Sequence, residues 1–194
     1  NGHRYDASAY NIEAMNALRK VKRNKYGYVY LYGEGGLIDN AYYPSRYKRI
    51  YNENGTGVPF YLPSQLEEIY PKPAKYISPL TAAFLQNDRI KDNTLLLSRS
   101  GTIGKCTIAS KTTIDKLFSD DVIRVSFKNR VNLGYVYAFL HTEAGLLILQ
   151  SNNYGAVIDH IEPEHLANVP IPNAPDELKE FIHNLIVESY DLRD

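Results

Sequence analysis

Thr94-Leu95-Leu96-Leu97-Ser98-Arg99-Ser100-Gly101-Thr102-Ile103-Gly104-Lys105 is the stretch that decides the fold. Thr94 to Ser98 is one apolar run and Ile103 to Ala109 another, with polar residues and two glycines between and beside them. Short apolar runs bounded by glycine read as strands, so the stretch is a strand, a tight turn and a strand. Gly101 and Gly104 serve the backbone geometry of the turn, and the hydroxyls of Ser98 and Ser100 bond it.

Further strands and helices alternate on both sides of this hairpin. Towards the N-terminus, Val58 to Leu62, Arg46 to Tyr51 and Tyr26 to Tyr32 read as strands, and Leu80 to Leu85 as a short helix. Ser8 to Arg23 has apolar residues recurring at helical spacing, Ile12, Met15, Leu18 and Val21, with Ser8 as its cap. Towards the C-terminus, Asp121 to Phe127 alternates as a strand. Leu133 to Gln150 reads as two helices broken near Thr142, which caps the second. Glu162 to Leu166 forms a helical turn, and Pro170, Pro172 and Pro175 rule out regular strand pairing in that segment. Asp176 opens a helix to the end of the sequence, with Leu178, Ile182, Leu185 and Leu192 as a coiled-coil seam.

The 194 residues fit one domain with a tail, and no internal repeat or low-complexity linker divides them. The longest apolar stretches, such as Leu146 to Leu149, fall far short of the roughly 18 residues of a membrane span, and no secretory leader is legible. Cys106 is the only cysteine, which rules out an internal disulfide and cysteine-based zinc clusters and predicts a reducing, cytoplasmic setting. The sequence starts at Asn1 without methionine and reads as a piece of a longer protein. Formal net charge is zero, but it is unevenly spread. Residues 1–110 carry 15 Lys and Arg against 9 Asp and Glu, a balance of +6, and residues 111–194 carry 7 against 13, a balance of −6. One side of the molecule is expected to suit phosphate and the other solvent or a protein partner.

Four catalytic templates come close, and each fails physically. The run ending Gly104-Lys105 has Arg99 where a phosphate loop needs its first glycine, and Cys106 cannot supply a metal-binding hydroxyl. Ser98 and Thr102 replace the glycines that a nucleophile elbow around Ser100 requires. His160, Glu164 and His165 resemble a zinc set, yet they are one residue out of helical register and Pro163 interrupts the helix. Asp176, Glu177 and Lys179 have the letters of a nuclease site, but they sit together at one helix start instead of converging from separate strands. No Asn-Pro-Pro-aromatic segment and no glycine-rich strand turn for a methyl donor is present, so methyl-transfer chemistry and its cofactor are not expected.

Binding signals are stronger. Arg19, Lys20, Lys22, Arg23 and Lys25 place five cations in seven residues, and Arg46, Lys48 and Arg49 surround Tyr47. Of 17 tyrosines, 13 lie between Tyr5 and Tyr76. Such rings pack on sugars while their hydroxyls bond phosphates or base edges. Tyrosine is also ordinary sheet material, and cations at a helix end complement its dipole.

Leu95 to Lys105 resembles the hallmark segment of specificity subunits of type I restriction-modification systems. Its surroundings fit in order: Arg4-Tyr5-Asp6-Ala7 with Tyr10 resembles the opening of that family, Gly57 to Leu62 its first central strand and Gly134 to Leu149 its helical pair. Asn153 to Ile161 with Leu166 to Pro172 is similar to its closing glycine loop and proline-bounded strand. Asn93-Thr94 stands where Gly-Asp is frequent, and Asp176-Glu177-Leu178 lacks the usual following glutamine. The resemblance implies a mixed α/β (α+β) domain, an irregular barrel-like sheet with peripheral helices, over residues 1–174. It also implies the start of a coiled-coil spacer helix over residues 175–194, packed against a sister helix of a second recognition domain or a sister copy.

By the same resemblance the chain recognises double-stranded DNA, catalyses nothing and needs no cofactor or metal. A DNA methyltransferase subunit and a restriction (translocase and nuclease) subunit would act where it binds. The expected DNA-binding residues are Tyr43, Arg46, Tyr47, Lys48, Arg49, Arg99, Ser100, Thr102, Lys105, Asn152, Asn153 and Tyr154. Arg46, Lys48 and Lys105 are expected on phosphates. Arg49, Arg99, Asn153 and Tyr154 have the donors and planar groups that read base edges. Similar domains are fused to single-chain restriction-methyltransferases, which leaves that context as an alternative. A tyrosine-rich protein-interaction module is another, and steep salt dependence separates DNA binding from it.

Overall fold

A computed structural model describes residues 11–52, 55–101, 103–151 and 160–194. The quoted stretch forms β5 (Thr94–Ser98) and β6 (Cys106–Ile108), paired antiparallel. Together with β2 (Ile38–Tyr42) and β8 (Val122–Phe127) they make an antiparallel sheet of order β2-β8-β5-β6. Alternation along these strands fills both faces. Leu95, Leu97, Ile123, Val125 and Phe127 enter the main core, whereas Leu96 and Val122 enter a second cluster with Tyr61, Leu66, Ile90 and Phe118. A strand buried on both faces must be apolar throughout, which is why β5 shows no hydrophobic-polar alternation. Each of its buried leucines contributes about 1.5–3 kcal/mol relative to exposure.

Helices cover the main core: α1 (Ile12–Lys22), α3 (Val131–Leu140), α4 (Glu143–Gln150) and α5 (Asp176–Arg193). As expected, α3 and α4 break where the Thr142 hydroxyl accepts the Gly145 N–H at 3.0 Å. Cap and inner face of α1 differ from expectation. Asn11 Oδ1 accepts from Glu13 N and Ala14 N, and Ser8 lies outside the described residues. Ala14, Ala17 and Val21 are buried, while Ile12 is 73% exposed. Small residues are what let α1 approach α4 and β9 closely, so the alanines win the inner face over larger apolar neighbours.

Two smaller sheets complete the molecule. The short β1 (Tyr28–Tyr30) pairs with β9 (Pro170–Pro172). This corrects the expectation that prolines exclude pairing there. Leu31 N donates to Val169 O and Asn173 N to Gly27 O, so the ladder runs through residues 169, 171 and 173, and the prolines fall at positions whose nitrogens point away from β1. The third sheet has order β4 (Lys75–Ile77), β3 (Val58–Tyr61) and β7 (Leu117–Phe118), with β3 and β7 parallel. The expected strand from Arg46 to Tyr51 does not form: the segment has no regular structure and meets the sheet at a bridge from Tyr51 to Ile77. The remaining helix, α2 (Pro79–Phe84), falls where expected. The mixed α/β class therefore holds, with three separate sheets and no closed barrel among the described residues.

The C-terminal helix is fastened to the body. Gly134 of α3 lies so close to α5 that a Cβ there would stand 2.6 Å from His183 Cα, and its N–H donates to His183 Nδ1 at 3.2 Å. Ile182, Ile186 and Tyr190 pack against the main core. Ile182 is thus not part of an outward seam: the outward stripe is Leu178, Phe181, Leu185 and Leu192.

Candidate nucleic-acid interface

Arg124 is buried in the middle of β8. Its Nη1 donates to Ser119 O at 3.1 Å and Val122 O at 2.6 Å, and its Nη2 to Phe118 O at 2.8 Å. Desolvation pulls its pKa down to about 10, so the guanidinium remains charged at neutral pH. It clamps the carbonyls on either side of Asp120 and Asp121 and so fixes the turn that carries these two carboxylates.

Three of the expected arginines converge on that turn. Arg46 Nε donates to Asp120 Oδ2 at 2.8 Å, and Arg49 Nη2 donates to Asp120 Oδ1. Arg99 Nη1 lies 3.6 Å from Asp121 Oδ1, and the Arg99 N–H donates to Asp121 O at 2.9 Å. Desolvation works against the Asp120 carboxylate, but bonds from Arg46, its own backbone and Arg49 outweigh it and hold the pKa below the usual value.

Two of these arginines also meet aromatic rings. The Arg99 guanidinium carbon lies 4.2 Å from the Tyr43 ring centroid, and that of Arg49 lies 5.2 Å from Tyr47 and 4.9 Å from Phe60. Arg99 is further held by Glu162, with Nη2 to Oε1 at 2.5 Å. A hydrogen bond with Glu162 and burial raise the Tyr43 phenol above its ordinary value. Burial raises that of Tyr47.

Exposure divides the expected residues. The Arg46 side chain is 78% exposed, and Lys48 is exposed and forms no ion pair with a described residue. Arg99 is only 14% exposed and Arg49 21%. The expected role of these two as ready donors to bases meets a physical obstacle, because their fork donors are already directed at Asp120, Asp121 and Glu162. Ser100 makes a bridge to His160, and the neighbouring Ile161 N–H donates to Arg99 O at 3.0 Å, so the segment at 160–162 is laid along the hairpin turn. Lys105 turns to Glu67, Nζ to Oε2 at 3.0 Å, beside a 790 Å³ cleft also lined by Gly104, His141 and Gln150. Gly101 and Gly104 have positive φ, 73° and 97°, and a Cβ at Gly104 would meet Leu146 Cδ1 at 2.4 Å. Thr102, Asn152, Asn153 and Tyr154 lie outside the described residues.

Sequence reasoning found the cations and missed the acids that position them. Asp120, Asp121 and Glu162 carry no local signal, since their partners come from distant segments, 71 and 74 residues away in the case of Asp120 and 63 in that of Glu162. Among the described residues no group of three or more His, Cys, Asp or Glu could hold a metal ion, and no helix is long and apolar enough to cross a membrane.

No family model matches the chain, and no curated protein does. Solved structures do. A chain solved in work on complex assembly and conformational transition of the type I R-M system is similar with a TM-score of 0.60 and 16% identity, over 95% of this chain and 45% of that one. The HsdS subunit from Thermoanaerobacter tengcongensis gives 0.59 and 18%, over 93% and 43%. The type-I restriction-modification system S subunit from M. genitalium gives 0.53 and 14%, over 88% and 40%. This chain spans less than half the length of each of them. What these likenesses establish, over nearly all of its residues, is that the chain has the fold found in S subunits of type I restriction-modification systems.

Proposed function

We propose that this chain recognises a specific sequence in double-stranded DNA and carries out no catalysis itself. The observation that carries the reading is the likeness, over 88% or more of the chain, to solved chains of type I restriction-modification systems, two of them S subunits. Cationic and planar side chains gathered from two segments, 43–49 and the hairpin turn at Arg99, around Asp120 and Asp121 support it. Arg46 and Lys48 contact phosphates, as Lys105 does once released from Glu67. Tyr43, Tyr47 and Ser100 line the contact, and Thr102, Asn152, Asn153 and Tyr154 complete it.

Arg49 and Arg99 read bases only by exchanging a carboxylate for a guanine edge. Such an exchange makes recognition conditional, because a wrong base leaves the ion pair as the better partner. Partner subunits supply the rest: a DNA methyltransferase subunit and a restriction subunit act at the site this domain selects. Residues 175–194 begin the spacer helix that meets a second recognition domain or a sister copy. The setting is the cytoplasm.

Selection from a random duplex pool, in the presence of the partner methyltransferase, tests the reading. Enrichment of a defined sequence is expected, and recovery of an unbiased pool from a DNA-bound complex sinks it.

A further inference from the structure

The basic cluster at the end of α1 lies outside the interface just described, and the structure gives it a form of its own. Arg19, Lys20 and Arg23 line a shallow 460 Å³ groove on α1. Lys22 Nζ lies 5.5 Å from the Tyr28 ring centroid and 5.7 Å from that of Tyr30, and Lys25 Nζ lies 4.8 Å from the Tyr26 ring. All three tyrosines are exposed, and Tyr28 and Tyr30 meet edge to face at 5.5 Å.

A fixed turn joins the two halves of this surface. Asn24 Nδ2 donates to Val21 O at 2.6 Å and to Gly27 O at 2.5 Å, and Asn24 Oδ1 accepts from Tyr26 N at 2.8 Å. At the turn of Asp120 and Asp121, Arg46, Arg49 and Arg99 each face a carboxylate. Here none of the five cations forms an ion pair with a described residue. Complementing the helix dipole accounts for the three in the last turn of α1, Arg19, Lys20 and Lys22, but not for Arg23 and Lys25 beyond it. Like charges at this density repel, and a polyanion relieves the repulsion.

We propose that this α1–β1 surface is a second DNA-contacting face, which grips the sugar-phosphate backbone of duplex flanking the recognised sequence. From Arg19 to Arg23 the helix rises about 6 Å, which spans roughly two consecutive phosphates of one strand. The exposed tyrosines lie beside the cations with rings to pack on sugars and hydroxyls to reach phosphates. Contacts of this kind carry no sequence information and set affinity, register and salt dependence. The inference rests on the recognition reading only for naming the polyanion as duplex DNA.

The test is fluorescence anisotropy of a labelled duplex of arbitrary sequence, titrated across salt concentrations. The wild-type chain is compared with the combined variant Arg19→Gln, Lys20→Gln, Arg23→Gln and Lys25→Gln, all at exposed positions. Each phosphate contact contributes about 0.9 to the slope of log affinity against log salt, so the slope is expected to fall by roughly 3 to 4. Affinity at low salt falls tenfold or more, and by a similar factor on every duplex. The charge-retaining variant Arg19→Lys with Arg23→Lys keeps the wild-type slope.

An unchanged slope in the glutamine variant, or a wild-type chain that binds no duplex at low salt, overturns the inference. The recognition reading fails separately. A chain with no sequence preference whose non-specific binding still depends on these four cations keeps this surface and loses that reading, and the reverse result does the opposite.

Discussion

Arg99 and Glu162, 63 residues apart in the chain, meet with Nη2 2.5 Å from Oε1, and the same guanidinium covers the ring of Tyr43. Through this contact the segment after residue 159 is tied to the hairpin turn. Glu162→Gln is expected to cost about 1–3 kcal/mol, as for a hydrogen bond to a charged group. A double-mutant cycle with Arg99→Gln gives a coupling of roughly 0.5–3 kcal/mol. Urea unfolding reads both, and additive losses would show that the pair is incidental.

Arg46 and Lys48 are exposed members of the proposed interface, so their loss is expected to act on affinity without choosing among sequences. Arg46→Gln or Lys48→Gln weakens all duplexes alike and lowers the salt slope by about 1. Losing Arg99 costs about 1–3 kcal/mol on the selected sequence and little on others. Anisotropy on matched and scrambled duplexes separates these patterns, and an equal loss on both for Arg99→Gln removes it from base reading.

Arg124 holds three carbonyls around the turn of Asp120 and Asp121. Arg124→Met keeps the apolar stem and leaves those carbonyls without their charged donor, at a cost of about 2–4 kcal/mol. Because Asp120 holds Arg46 and Arg49, duplex affinity also changes under conditions in which the variant is fully folded. Chemical denaturation together with DNA titration checks both, and native stability in the variant contradicts the clamp.

Acid weakens the junction of α3 and α5. Burial, and then the nearby Arg130, hold the His183 pKa below 6.5 in the folded chain, so the unfolded chain takes up a proton that the folded one resists. Stability is therefore complete above about pH 6.5 and declines as pH falls below it, by at most ~1.4 kcal/mol per pH unit. His183→Gln flattens that limb. Thermal melts between about pH 7.5 and 5 check it, and a wild-type stability independent of pH over that window rules the mechanism out.

The outward stripe of α5, Leu178, Phe181, Leu185 and Leu192, touches nothing in the described chain that buries it, in contrast to Ile182 and Ile186 on the inner face. Leu185→Glu leaves stability within about 0.5 kcal/mol. It is expected to abolish association with a sister helix, as read by sedimentation velocity. Unchanged association in the variant moves the partner surface elsewhere.

The residues alone determined the elements whose physics is local. Glycine-bounded apolar runs identified β5 and β6, Thr142 marked the break between α3 and α4, and Asp176 marked the start of α5. Composition and motif spacing supplied the cations and tyrosines of the interface. Only the tertiary structure decided which side of α1 is buried, that Pro170 and Pro172 fit a strand, that Ile182 turns inward, and that Arg49 and Arg99 are held by acids. Helix caps and turns depend on neighbours within a few residues, which any sequence displays. Ion pairs and burial depend on which distant segment arrives opposite, as Asp120 does for Arg46 and Glu162 for Arg99, and that is settled only when the sheets and helices pack.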